Sequence, residues 1–178
     1  IDPLGRVTTW SEDIQGRTTS KTYADGFKET YQYEATTSRL ARVTDAKGQS
    51  KVFSYHLDDT TASISYLNAQ QPTPGVSYAY DSAYPRVASM TDGLGVTTYS
   101  YGVVNGSSAG ANLLKRVKSL WNGNEVTYSH DILRRVNERV INGVPQTIAH
   151  DAAGRVSTLT NVLGSFGFTY EAGSGRIT

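Results

Sequence analysis

Three histidines, one serine and two adjacent aspartates are the side chains here whose types and spacing could support chemistry. His130 and His150 stand 20 residues apart, each followed by an aspartate, Asp131 and Asp151. That is the start of a two-histidine metal site. Adjacent strand side chains point to opposite faces, so neither aspartate can join its own histidine on one metal. A ring filling a repeated aromatic position accounts for both histidines better, and His56 reads as a surface residue. Gly106-Ser107-Ser108-Ala109-Gly110 fits the elbow that exposes a nucleophilic serine, here Ser108. An elbow needs a strand before it and a helix after it, whereas this match lies in a Gly/Ser/Asn-rich loop. Asn105-Gly106-Ser107 also reads as a glycosylation sequon. Asp58 and Asp59 could share acid and base roles, but a solvated turn explains them as well. No phosphate loop, dinucleotide fingerprint or EF-hand loop is present. The residues give no catalytic, cofactor or metal assignment.

The elements that carry these residues are repeated. Seven times the chain writes a ring, a spacer, then Tyr or His, usually followed by an acid. The instances are Tyr31-Gln32-Tyr33-Glu34, Phe53-Ser54-Tyr55, Tyr78-Ala79-Tyr80-Asp81, Tyr99-Ser100-Tyr101, Tyr128-Ser129-His130-Asp131, Ile148-Ala149-His150-Asp151 and Phe168-Thr169-Tyr170-Glu171. Ile148 is the one aliphatic at the first position. Steps between the second rings are 22, 25, 21, 29, 20 and 20 residues. Such a period marks a repeat architecture, which builds a surface or a wall more readily than a single cleft.

A second mark is a basic residue followed by a β-branched one: Arg6-Val7, Arg42-Val43, Arg86-Val87, Arg116-Val117, Arg135-Val136, Arg155-Val156 and Arg176-Ile177. Turn signals alternate with the ring pairs. Asp45 to Gly48, Asp92 to Gly95, Asn161 to Gly164 and Asp151 to Gly154 share one form, as do Asp2 to Gly5 and Asp13 to Gly16. The first residue accepts a backbone N–H, and the glycine supplies a positive φ. Asp25-Gly26, Asn122-Gly123 and Asn142-Gly143 suit two-residue type I′ loops. The runs between turns alternate and are rich in β-branched and aromatic residues, so they read as strands. Each unit is a hairpin, and hairpins need one another for stability. Stacked hairpins would bring the second rings of successive units near each other. Residues 111–121 also carry helical spacing; the repeat register makes 115–121 a strand, with a short helical turn near 111–114.

Bulk properties agree with a wall. The 178 residues permit one domain, and 17 basic against 16 acidic residues are interspersed. That balance argues against nucleic acid or a membrane surface as a partner. No apolar run is long enough to span a bilayer. The absence of cysteine removes disulfides and thiol chemistry. Twelve tyrosines against four phenylalanines favour surfaces with one wet edge. Residues 68–75 and 102–112 interrupt the register and read as projecting loops.

The pattern, clearest in Tyr78-Ala79-Tyr80-Asp81 and His150-Asp151-Ala152-Ala153-Gly154-Arg155-Val156, resembles the YD repeat of the Rhs (rearrangement hot spot) family. That family includes bacterial polymorphic toxins, shell components of insecticidal toxin complexes and wall-associated proteins; animal teneurins carry a related array. The resemblance covers essentially all 178 residues. It implies an all-β array of about seven to eight antiparallel hairpin units forming one long curled sheet, a segment of a shell. Residues 1–178 would be a single piece of a longer array.

The implied role is structural: enclosing a toxic C-terminal polypeptide without catalysis, cofactor or metal. Implied partners are the rest of the shell, the enclosed toxin segment and secretion-apparatus proteins, with no nucleic acid and no membrane span. Assembly in the bacterial cytoplasm and export, to the medium or the cell surface, would follow. The structural positions would be Tyr33, Tyr55, Tyr80, Tyr101, His130, His150 and Tyr170, with turns at Asp45, Gly48, Asp92, Gly95, Asp151 and Gly154. Wall-associated and adhesive relatives suggest a second reading, a Tyr-rich face binding carbohydrate or a cell-surface partner. Departures are His at 130 and 150, a turn at Asp131-Ile132-Leu133-Arg134 without glycine, and Tyr55 followed by His56-Leu57-Asp58. The family's self-cleaving core region has no match, and Asp2-Pro3-Leu4-Gly5-Arg6 reads as a turn.

Overall fold

The computed structural model describes residues 1–104, 108–121 and 124–178. The glycosylation sequon, part of the Gly-x-Ser-x-Gly match and the Asn122-Gly123 turn lie outside these residues. Among the described residues there is no helix. The strands are β1 (Thr9–Glu12), β2 (Thr18–Thr22), β3 (Lys28–Tyr33), β4 (Leu40–Thr44), β5 (Ser50–Tyr55), β6 (Thr61–Leu67), β7 (Val76–Tyr80) and β8 (Val87–Asp92). They continue with β9 (Gly95–Tyr101), β10 (Leu114–Lys118), β11 (Glu125–His130), β12 (Val136–Ile141), β13 (Val144–His150), β14 (Val156–Asn161) and β15 (Gly164–Gly167). The strand order is the chain order. Two compact units divide the chain, Ile1–Arg86 with Met90–Gly93, and Val87–Ser89 with Leu94–Thr178.

The local chemistry explains the hairpins. Gly5, Gly16, Gly48 and Gly154 close their turns at φ between 76° and 83°, a region that costs other residues energy. Asn142 and Gly143 both take positive φ, as a type I′ loop requires. Asp25-Gly26 departs from that expectation, because only Gly26 is left-handed. Its turn runs from Tyr23 to Phe27, with Gly26 N–H on the Tyr23 carbonyl at 2.9 Å, the same form as the Asp-x-x-Gly turns. The helical spacing of 111–121 yields to strand pairing over β10 only, and residues 119–121, expected within that strand, lie beyond its end. Val117 sits opposite Tyr99 on one side and Val126 on the other. Just ahead of β10, Ala111 and Leu113 donate three residues back, to Ser108 and Gly110, each at 3.0 Å.

Each unit has two unlike faces. In the first, Tyr31, Val43, Lys51 and Tyr66 form one cross-strand row, beside Phe53, Ile64 and Val76. The other face carries Ser11, Ser20, Thr30, Thr44 and Ser50 in a row. In the second unit, Tyr99, Val117, Val126, Ile141 and Val144 line up on one face. Glu138, Thr147, Thr160 and Ser165 line up on the other. Facing hydroxyls bond across strands, Thr44 with Ser50 at 2.8 Å, Ser54 with Ser63 at 2.7 Å and Thr160 with Ser165 at 3.0 Å.

No hydrophobic side chain is fully buried among the described residues; only Ser20 and Ser50 are buried. Ordinary domains pack at least two layers around a core. These ladders are a single layer.

Candidate functional site

Within each unit the repeated ring, acid and arginine positions meet at the turns. In the turn from Asp13 to Arg17, Asp13 Oδ1 accepts the N–H groups of Gln15 and Arg17, at 2.9 and 3.0 Å. Its other oxygen takes the Arg17 guanidinium at 2.7 Å. Asp131–Arg135 and Asp151–Arg155 repeat this, at 2.6 and 2.8 Å. Glu34–Arg39 and Asp81–Arg86, one residue longer, close at 2.7 Å. Each turn is a clip whose arginine is held by the acid that opens it.

Arg17, Arg39 and Arg155 then each cover a ring from the following hairpin, and Arg86 lies over Tyr84 of its own turn, 4.5 Å from the ring centre. The guanidinium carbon of Arg17 lies 4.7 Å from the centre of the Tyr33 ring, Arg39 4.8 Å from Tyr55, and Arg155 4.4 Å from Tyr170. Cation–ring contacts of this kind contribute about 0.5–1 kcal/mol at exposed sites. Arginine also bonds onward: Arg39 Nη1 donates to the His56 carbonyl at 3.0 Å and to Asp59 at 2.8 Å, and Arg155 Nη1 to the Ser174 carbonyl at 2.6 Å.

The tyrosine hydroxyls complete the link by reaching the carbonyl of an earlier strand's first residues. Tyr33 donates to Thr18 at 2.8 Å, Tyr55 to Leu40 at 2.7 Å and Tyr80 to Thr61 at 3.0 Å. Tyr101 donates to Val87 and Tyr170 to Val156, both at 2.7 Å. In four of these cases the acceptor directly follows the residue closing a turn: Arg17, Arg39, Arg86 or Arg155. A bulge accompanies the link. Register slips beside Glu12, Tyr33, Tyr55, His130 and His150, leaving Thr19, Ala41, Ala62, Asn137 and Ser157 as the extra residues. Thr18, Leu40, Thr61 and Val156, four of the acceptors, sit just before such a residue. A bulge bends its strand and re-aims local groups.

The arginine-bound carboxylates titrate low. Asp13, Glu34 and Asp131 are held below the usual carboxylate range first by their arginine's hydrogen bond. For Asp81 and Asp151 the backbone N–H groups of Ala83 and Arg155 are the larger cause. None is poised as a proton donor near neutrality.

The remaining candidates fall into place around these turns. His56 takes the arginine's place over Tyr80, edge-on with ring centres 5.8 Å apart. Asp58 accepts the Thr60 hydroxyl at 2.7 Å while Asp59 accepts Arg39, so the two carboxylates serve different partners. Ser108 lies in a turn, with no helix behind it. His130 and His150 occupy β11 and β13 with β12 between them, about 10 Å apart by strand spacing. Among the described residues no cluster of three or more potential ligands could hold a metal. Tyr33 and Tyr55, second rings of successive hairpins, have β4 between their strands, and Arg39 lies over Tyr55. Asp45 accepts the N–H groups of Lys47 and Gln49, at 2.8 and 2.9 Å. Gly95 turns at φ 127°, where an added Cβ would lie 2.6 Å from Leu120 Cδ2. Asp92 ends β8 just before that turn.

Two features escaped the sequence reading. The basic mark mixes two kinds of residue, since Arg42 and Arg116 lie inside strands while Arg86, Arg135 and Arg155 close turns. The telling signal was an acid four or five residues ahead of arginine. Likewise the Ser/Thr alternation announced a hydroxyl face opposite the aromatic one.

No protein-family model matches the chain, and no curated protein does. Solved structures share its fold. The Photorhabdus luminescens Tc holotoxin pore with a mutated TccC3 superposes at TM-score 0.73 and 13% identity, covering 96% of this chain and 10% of that one. A TcdB2-TccC3-Cdc42 crystal structure aligns at TM-score 0.57 and 15% identity, over 92% of this chain and 11% of that one. This chain therefore spans about a tenth of the length of each. The all-β hairpin array implied by the resemblance to Rhs/YD-repeat chains is the fold observed.

Proposed function

We propose that this chain is a non-catalytic length of wall in an Rhs/YD-type shell that encloses a toxin polypeptide. The single-layer sheet carries the reading. Its strands bury no hydrophobic core, expose an aromatic face and a hydroxyl face, and are joined hairpin to hairpin by the Tyr–Arg–carboxylate links. That construction separates two spaces more naturally than it shapes a cleft. The fold shared with toxin-complex structures supports it, and so does the family resemblance, which includes toxin-complex shells.

On this reading the 178 residues form one stretch of a longer hairpin array. Their partners are the rest of that array and its enclosed cargo, and secretion-apparatus proteins act on the whole. Assembly precedes export from the bacterial cell. The carbohydrate reading finds less support: Arg17, Arg39 and Arg155 already cover ring faces of Tyr33, Tyr55 and Tyr170 that a sugar would need.

Limited proteolysis of the complete polypeptide tests the proposal. An internal segment should resist protease until the array is unfolded, then be cleaved at once. Equal cleavage of every segment under native conditions would refute containment.

A further inference from the structure

At His130 the repeated link loses both of its partners, and departures from a repeating design tend to mark functional positions. At Tyr33, Tyr55, Tyr80 and Tyr170 a phenol reaches the carbonyl just ahead of a bulged residue. For His130 the corresponding carbonyl is that of Leu114, and Lys115 is the bulge, since Leu114 pairs with Tyr101 and Arg116 with Ser100. An imidazole is shorter than a phenol. Leu113, moreover, stands where Arg17, Arg39 and Arg155 close their turns and cover a ring.

The connection ahead of β10 lies against the His130 ring instead. Its base is closed by Gly102 N–H on the Leu113 carbonyl at 2.9 Å and by Asn112 N–H on the Gly102 carbonyl at 3.0 Å. A Cβ on Gly102 would strike the Gly110 carbonyl oxygen, and one on Gly110 would lie 3.3 Å from His130 Nδ1. Only small residues let this connection pack so closely.

What remains is a pocket of about 400 Å³, whose lining includes Ser108, Gly110, Lys115, Tyr128, Ser129 and His130. That volume is within the range of ligand sites. Among the described residues no carboxylate lines it. The neighbouring acids are engaged: Asp131 holds Arg135 at 2.6 Å, and Glu138, opposite Ser129 on β12, accepts the Ser129 hydroxyl at 3.3 Å. Lys115, Tyr128 and His130 are different. Among the described residues their ammonium, phenol and imidazole have no hydrogen-bond or ion-pair partner. With the Ser108 hydroxyl, the pocket offers donors and one positive charge, and no acid opposes them.

We propose that this pocket binds the phosphoryl group of free phosphate or of a small phosphate monoester, its oxygens on Lys115, His130, Ser108 and Tyr128. Hydrogen bonds to an ionised oxygen are about twice as strong as neutral ones, and lysine serves phosphate as a point charge. A phosphoryl group has more oxygens than a carboxylate and so can engage all of these donors. The site is independent of the containment reading, because it needs nothing enclosed and lies within the second unit alone.

The test is isothermal titration calorimetry of the complete polypeptide with inorganic phosphate, glycerol phosphate and acetate in turn. The expected result is saturable uptake of phosphate that disappears in His130→Tyr, where the ring found at most equivalent positions fills the pocket. Lys115→Gln should weaken uptake about tenfold, the loss of one charge-assisted hydrogen bond. Lys115 is exposed, so that variant carries the test alone if His130→Tyr fails to fold. Tighter binding of glycerol phosphate than of phosphate supports the site with an ester as its ligand, and the reverse order supports it with the free ion. No uptake, an affinity indifferent to either folded variant, or acetate binding as tightly as phosphate would each overturn the proposal.

Discussion

Arg155 and Tyr170 are held face to face, guanidinium carbon 4.4 Å from the ring centre, while the Tyr170 hydroxyl donates at 2.7 Å to the carbonyl of Val156, the residue after Arg155. One side chain thus grips a turn and its outgoing strand together. Because the layer has no core, links of this kind hold successive hairpins in register.

Removing the hydroxyl alone should loosen that grip. Tyr170→Phe and Tyr55→Phe keep the ring beneath arginine and lose the bond to Val156 or Leu40, worth about 1 kcal/mol each. Native-state hydrogen exchange read by mass spectrometry should show the flanking hairpin opening about fivefold more often. Unchanged exchange would reduce the phenol to a bystander.

The links formed by phenols are missing at His130 and His150, although the bulge beside each is kept. His150→Tyr should restore a donor toward the Val136 carbonyl and slow exchange in β12 and β13 by a similar factor, about fivefold. Faster exchange there would mean that the register around His150 cannot accept the longer ring.

The turn from Asp131 to Arg135 places Arg134 at φ 66°, where its counterparts have glycine. A left-handed conformation costs a non-glycine residue about 1 kcal/mol, so Arg134→Gly should stabilise the hairpin by that amount. A thermal melt shifted upward checks it; a downward shift would give the Arg134 side chain a role the structure does not show.

Acid should undo the clips. Asp13, Glu34, Asp81, Asp131 and Asp151 bind protons less readily when folded than when unfolded. Their contribution is therefore complete above the ordinary carboxylate range, about pH 4, and is lost as pH falls below it. Tyrosine near-ultraviolet circular dichroism should stay constant from about pH 5 to 8 and collapse below about pH 4. A transition between about pH 6 and 7 would implicate histidine instead.

Much of this was legible in the residues. The step of about 20 between second rings set the hairpin length, and glycine closes the turns at Gly5, Gly16, Gly48 and Gly154 with a left-handed φ. Asp92 to Gly95 and Asn161 to Gly164, read as the same form, are instead two-residue loops whose glycines begin β9 and β15, at φ 127° and 138°. What stayed hidden was three-dimensional. Tyr33 meets Arg17 and Thr18, 15 and more residues back, and only the intervening strand pairing reveals that distance as one contact. The arginine between rings stayed hidden for the same reason, since β4 lies between the strands of Tyr33 and Tyr55 and Arg39 covers the latter. At 102–112 the sequence showed an insertion but not the pocket beside it, because Gly110 meets the His130 ring only in the folded sheet.

Containment is decided by a cryo-electron-microscopy map of the complete polypeptide. In that map β1 to β15 should form part of a continuous wall with polypeptide density against one face and solvent against the other. Solvent on both faces, or a wall that encloses nothing, would contradict it.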